Sequence, residues 1–198
     1  MPNRDHLKRL PREYYQNDAI VHWTLTVVDR KTGWLSRQFY HQFRELLTHT
    51  TFRYGLACPI FCLMPDHFHM VWMGLFGGSD QLNAMKHFRS RCDESLKRFG
   101  YRLQDQSFDH VLKDEERRES EFHELCEYIA RNPERAGLIE HDAFSTYEFS
   151  GCLIPGYPEL RPFESQYWDR FERTVSHLRS SGFMQTVVNE PPSPLKIP

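Results

Sequence analysis

The order in which two hydrophobic periods alternate constrains this chain more than any other feature. Residues 19–28, AIVHWTLTVV, are β-branched and aromatic and predict a strand, and the DRKTG that follows predicts a turn. From Ser36, a predicted N-cap, Phe39, Phe43, Leu46 and Leu47 fall at helical spacing. Residues 57–64, ACPIFCLM, and 67–75, HFHMVWMGL, predict two more strands, broken apart by Pro65 and Asp66 and so paired as a hairpin. After GGSD, with Ser79 or Asp80 as N-cap, a second helix carries Leu82, Met85, Phe88, Cys92, Leu96 and Phe99 as its apolar stripe and stops at Gly100. SFDHVL, 107–112, predicts a short fourth strand. A third helix follows, capped by Ser120 and interrupted near Pro133.

The order β-α-β-β-α-β predicts an α+β fold of the ferredoxin-like, split β-α-β kind: a central antiparallel sheet with two helices on one face, then an additional helix. Such a fold hosts many functions, so the architecture alone assigns none. At 198 residues the chain is long enough for one domain with a full core. The expected division is an N-terminal arm over 1–18, a domain over 19–140, and a helical C-terminal extension over 141–182 packed on it. Residues 183–198, which include the Pro-rich NEPPSPLKIP, predict a disordered tail. No stretch is apolar enough to span a membrane, and the first residues lack the apolar segment of a secretory signal. Five cysteines without framework spacing point to reduced thiols and a cytoplasmic protein.

Net charge is −2, which does not announce a nucleic-acid binder, but its distribution is uneven. Residues 1–104 hold 15 Lys and Arg against 9 Asp and Glu, whereas 105–139 hold 5 against 10. The basic first part is able to supply phosphate contacts; ordinary solvated helix charge is the plainer account.

Inside the third predicted strand, His67 and His69 stand one residue apart. Alternation puts Phe68, Met70 and Trp72 on the helix-covered face and the two imidazoles on the other, with Val71 and Met73. Two imidazoles on one face can converge on one ion. With 11 histidines in the chain, however, one such pair arises readily by chance, so two partly exposed strand histidines are the bland alternative. A rival zinc reading adds Cys58 and Cys62, but in an uninterrupted strand both cysteines share the face of Phe68, opposite the histidines. In the third helix Phe122, Leu125, Cys126 and Ile129 form the buried stripe, and Tyr128 and Asn132 sit one turn apart on its flank. A phenol can act as a covalent nucleophile and an amide oxygen as a weak ligand for a hard cation; a tyrosine beside a core stripe is also often mere packing.

Taken together, MPDHFHMVW and YIARNPERAGL resemble two signatures of the single-tyrosine HUH transposases. The first is similar to their His-hydrophobe-His strand. The second is similar to the tyrosine motif of one branch, the REP-associated tyrosine transposases, and is the more specific. The resemblance runs over about 19–160, including FDHVL and YEFSGCLIPGYPEL. The chain departs from it where LQDQSFDHVL stands in place of a tryptophan and basic residues.

The resemblance implies that His67 and His69 bind Mg2+ or Mn2+, with Asn132 as a third ligand, and that Tyr128 is the nucleophile. It implies single-stranded DNA bearing hairpin repeats as partner and substrate, nicked and rejoined through a 5′-phosphotyrosine, by a protein acting as a monomer. Candidate DNA contacts are Arg4, Lys8, Arg9 and Arg12 in the arm and Lys86, Arg89, Arg91, Lys97 and Arg98 in the second helix. To these His22, His110, Arg131 and Arg135 are added. Two other functions stay open: a catalytically silent hairpin-binding protein, and a metal-dependent phosphohydrolase that uses water in place of Tyr128.

Overall fold

The computed structural model describes residues 8–157, 160–182 and 184. Strand β1 (Ile20–Thr26) leads through a short turn to helix α1 (Arg37–Tyr54), then to the hairpin β2 (Leu56–Leu63) and β3 (His67–Gly74). Helix α2 (Gln81–Lys97), strand β4 (Phe108–Val111) and helix α3 (Glu119–Ala130) follow. The chain continues through the single turn α4 (Asn132–Arg135), strand β5 (Ser150–Leu153) and helix α5 (Tyr167–Ser181). The sheet order is β4-β1-β3-β2-β5, with every pairing antiparallel. Its first four strands are the split β-α-β core expected from the sequence.

The caps show why these segments begin where they do. The Ser36 side chain accepts from the Phe39 amide at 3.2 Å, and Asp80, not Ser79, accepts from the Asn83 amide at 3.0 Å. Gly55, at φ 60°, closes α1 in the left-handed conformation and turns directly into β2. Helix α3 starts one residue before the expected Ser120 cap. Arg118 is its N-cap without a side-chain bond, and Glu119 and Glu121 meet the positive helix end instead.

Two apolar layers hold the sheet. On one face Trp23, Phe68, Met70 and Trp72 pack against Phe39, Phe43 and Phe88 of α1 and α2. Buried Gln81 ties α2 to the sheet: its amide accepts from Trp23 Nε1 at 3.1 Å and donates to the Ala19 carbonyl at 2.6 Å. On the other face Ile20, Ile60, Val71 and Met73 pack under Phe122, Cys126 and Ile129 of α3 and Phe171 and Val175 of α5. Each such side chain contributes about 1.5–3 kcal/mol. This second layer covers only part of its face. The rest of that face, toward the start of β3, carries the half-buried His22, Thr24, Thr26, His67 and His69.

Three expectations are corrected. Phe99 lies beyond α2 and is exposed, whereas Gln81 and Ala84 join its buried side. The loop-like stretch after 140 contains β5, which pairs Ser150, Gly151 and Leu153 with Cys62, Phe61 and Cys58 of β2. Cys58 and Cys62 do not share a face, since Cys58 packs with the α1–α2 layer and Cys62 with the α3–α5 layer. Pro59 between them has no N–H for the ladder, and the register shifts there, between Ala57 and Ile60. The rival Cys2His2 site is thereby dismantled. No disulfide joins the five cysteines, all of them buried.

Candidate active site

The antiparallel register sets the histidines. Thr24 lies directly opposite His69, Thr26 opposite His67, and His22 opposite Val71, so His22, Thr24, His67 and His69 share one patch of the sheet. The Nε2 atoms of His67 and His69 point at each other, 3.0 Å apart, with the rings edge to face at 4.8 Å. Both rings are held from behind. His67 Nδ1 is 2.6 Å from Asp66 Oδ1, and Asp66 in turn accepts from Arg30 at 2.8 Å. His69 Nδ1 is 3.0 Å from Thr24 Oγ1 and 3.1 Å from His22 Nε2.

Electrostatics fix the charge states. Burial, followed by the neighbouring His22, His67 and Arg135, pushes His69 down to about 3. Burial and then His110 push His22 down to about 4. Burial alone would raise the Asp66 carboxyl, but its bonds from His67 and Arg30 hold it below the usual range. At neutral pH, then, His22 and His69 are neutral imidazoles and Asp66 is a carboxylate. A neutral imidazole backed at one nitrogen by an oxygen is the usual arrangement of a metal-binding histidine, so this donor set fits a divalent cation.

The tyrosine stands on the helix that covers the neighbouring part of the same face. Phe122, Cys126, Ile129 and Ala130 are buried, with Leu125 half-buried beside them, and this leaves Tyr128 56% exposed. The i to i+4 expectation for Tyr128 and Asn132 is modified at Arg131, where φ −82° and ψ 2° separate α3 from α4. Pro133 then sits in the first turn of α4, where no amide is required. Arg135 gathers the group. Its guanidinium carbon lies 3.7 Å from the Tyr128 ring centroid, and it donates to the Tyr128 carbonyl and, at 2.6 Å, to Asn132 Oδ1. Asn132 Nδ2 is buried with no partner among the described residues. Because Arg135 also bears on the charge states of His69 and Cys62, the tyrosine turn and the histidine patch share one electrostatic environment.

The candidate DNA contacts fall in three places. Arg9, Arg12, Lys86 and Arg89 line a groove of about 720 Å3 between the N-terminal segment and α2, along with Asn83 and Ser90. Within it Arg9 pairs with Asp109 at 3.0 Å, Arg12 with Asp80, and Arg89 donates to the carbonyls of Gln104 and Asp105. Lys8, Lys86 and Arg98 are exposed, while Arg91 pairs with Glu94 and Lys97 with Asp93. His110 lies opposite His22 on β4 and is 2.7 Å from Glu116. Arg131 is held by Glu127, Glu134 and Asp142 and lies over Phe144, so its charge is already matched. Arg4 lies outside the described residues.

One cluster escaped the sequence reading. Glu119, His123 and Glu172 bring their ligand atoms within 4.8 Å of one another, His123 stacking on Trp168 at 3.8 Å. The Glu119-to-His123 spacing of one turn is its only signal in the sequence. It joins α3 to α5 and is distinct from the His67–His69 patch.

No protein-family model matches the chain, and no curated protein matches it. Among solved structures it is similar to a REP-associated tyrosine transposase bound to a REP hairpin, at 17% identity, over 73% of this chain and 82% of that one, with a TM-score of 0.60. No helix among the described residues is long and apolar enough to cross a membrane. On the strength of strand order, pairing and that likeness, the chain has the fold of a REP-associated tyrosine transposase.

Proposed function

We propose that this protein is a metal-dependent DNA strand transferase that nicks and rejoins single-stranded DNA beside hairpin repeats through Tyr128. The observation that carries the reading is the pair of opposed Nε2 atoms on His67 and His69, each with its Nδ1 tied back, beside a helix that exposes one tyrosine. The fold likeness to a transposase bound to a hairpin supports the choice of substrate.

His67 and His69 would hold Mg2+ or Mn2+, two imidazoles suiting Mn2+ at least as well as Mg2+. Asn132 would join them as third ligand through Oδ1, which in this structure accepts from Arg135 at 2.6 Å and would have to be released to the ion. A divalent ion held there would supply Lewis-acid stabilisation of the charge that develops at the scissile phosphate. Tyr128 Oη attacks phosphorus in line and gives up its phenol proton to water; the Oη–P bond forms, the P–O3′ bond breaks, and the departing 3′ oxygen takes a proton from water to leave as a hydroxyl. Arg135, stacked on the ring, holds the phenol and brings positive charge to the phosphate. A second 3′-hydroxyl reverses the step elsewhere, so the phosphotyrosine conserves the bond energy.

The Arg9–Lys86–Arg89 groove and the histidine patch are on opposite faces of the sheet and meet at the β4 edge. There Asp109 faces the arm and His110 faces His22. DNA held in the groove reaches the tyrosine by crossing that edge, past the half-exposed Phe108, whose ring can stack on an unpaired base. Each chain in this reading uses its own tyrosine and acts as a monomer.

The test mixes labelled hairpin oligonucleotides and Mn2+ with protein and resolves the products on a denaturing gel. A metal-dependent retarded band that vanishes in Tyr128→Phe is expected. Hairpin binding without an adduct would indicate a silent binding protein, and cleavage persisting in Tyr128→Phe a hydrolase.

A further inference from the structure

We propose that Glu119, His123 and Glu172 form a second metal site, for Zn2+ or a like divalent transition ion, that clamps helix α5 onto helix α3. It shares no residue with the His67–His69 patch and stands independently of the function proposed for that patch. The three ligand atoms lie within 4.8 Å of one another. Glu119 and His123 are four residues apart on α3, so both side chains stand on one face of that helix. Glu172 reaches them from α5, its Oε1 3.0 Å from His123 Nε2.

The charges of the cluster call for a cation. Among the described residues neither carboxylate is paired with a lysine or arginine; Glu172 meets His123 alone, and Glu119 makes no ion pair. Two like charges held this close repel, and even a protonated imidazole would offset only one of them. A divalent ion cancels both and bonds to the imidazole as well. The ring is also preset. His123 is half-buried and stacks on Trp168 of α5 at 3.8 Å, with the planes 13° apart, so little rotamer freedom is left for a ligand to lose. Trp168 packs in turn against Phe122 and Phe171, which fixes the ring from the apolar layer beneath. Both glutamates are exposed, leaving an open approach and room for water as a further ligand. One nitrogen and two carboxylate oxygens suit Zn2+, which takes such ligands at about 2.0–2.2 Å, better than Mg2+, which is bound through oxygen. With two ligands on α3 and one on α5, the ion binds only where the helices are docked, and so stabilises that docking. Helix α3 is also the helix of Tyr128, and the clamp holds its first turns against the C-terminal helix.

The test titrates the full chain carrying His67→Ala and His69→Ala with Zn2+ against a chromophoric chelator, so that the candidate active site is silent. One bound ion per chain is expected, with a rise in Tm on Zn2+ but not on Mg2+. Glu172→Gln and His123→Gln, added singly, should each weaken binding by more than the about 10- to 100-fold that loss of an outer partner costs. Co2+ in place of Zn2+ reports where the ion sits. The indole N–H signal of Trp168 should shift and broaden, in the double variant and in the wild-type chain alike, and lose that response in Glu172→Gln. Trp23, Trp34 and Trp72 are buried in the α1–α2 layer on the other face of the sheet and serve as internal references in the double variant. Absence of Zn2+ binding, binding unchanged in both Glu172→Gln and His123→Gln, or an unmoved Trp168 signal overturns the proposal. The cluster would then be a plain His123–Glu172 contact between two helices.

Discussion

Arg135 makes three contacts around the tyrosine that no other described side chain makes: the ring, its carbonyl and the Asn132 amide oxygen. A lysine keeps the charge but not the flat stack or the forked donors. Arg135→Lys should therefore slow single-turnover adduct formation by roughly 10- to 100-fold while hairpin affinity changes little. Equal loss of binding and chemistry would make Arg135 a DNA contact only. His22 and His69 yield a second residue-scale prediction. Both titrate far below their ordinary value of 6.5, so the unfolded chain takes up protons that the folded one refuses. Stability is complete above about pH 6.5 and falls as pH drops toward 4, at up to about 1.4 kcal/mol per pH unit for each histidine. Urea titrations between pH 7 and 4.5 measure it. At this scale the histidine parity was legible in the sequence, because alternation along β3 needs no tertiary information. The occupation of Arg131 by three carboxylates was not, because Asp142 reaches it only through the fold.

Elements differ in how far sequence betrayed them. The helices α1 and α2 and the hairpin were readable because period and caps agree, as at Ser36 and Asp80. Strand β5 was not, since four residues of SGCL carry no period and pair only because the β2 edge is open to them. The parity of Cys58 and Cys62 failed at Pro59, where a strand-interior proline forces a bulge. The end of β3 is equally demanding. A Cβ at Gly74 would meet the Asn17 carbonyl oxygen at 1.6 Å, so the backbone of the segment before β1 passes where a side chain would stand. Gly74→Ala should cost about 2–4 kcal/mol in urea unfolding, against which a neutral result would show that the segment before β1 is free to move away.

For the molecule as a whole, net charge of −2 conceals a basic groove and an acidic α3. If the groove tracks a DNA backbone, hairpin affinity falls steeply with salt, and Lys86→Ala reduces the slope of log affinity against log salt by about 1. An unchanged slope would move the DNA off that face. The fold, and with it the opposition of β1 and β3 side chains around the histidine pair, was accessible from sequence because a ferredoxin-like sheet puts β1 and β3 side by side at its centre. That the basic groove and the histidine patch lie on opposite faces was not, since it depends on which face each element covers. The most direct test of the central claim is mass spectrometry of the protein after incubation with hairpin oligonucleotide and Mn2+, followed by proteolysis. The account predicts a peptide spanning Tyr128 that gains a 5′-linked nucleotide, only when metal is present. A nucleotide on another residue, or free cleaved DNA with Tyr128 unmodified at every time point, would contradict it.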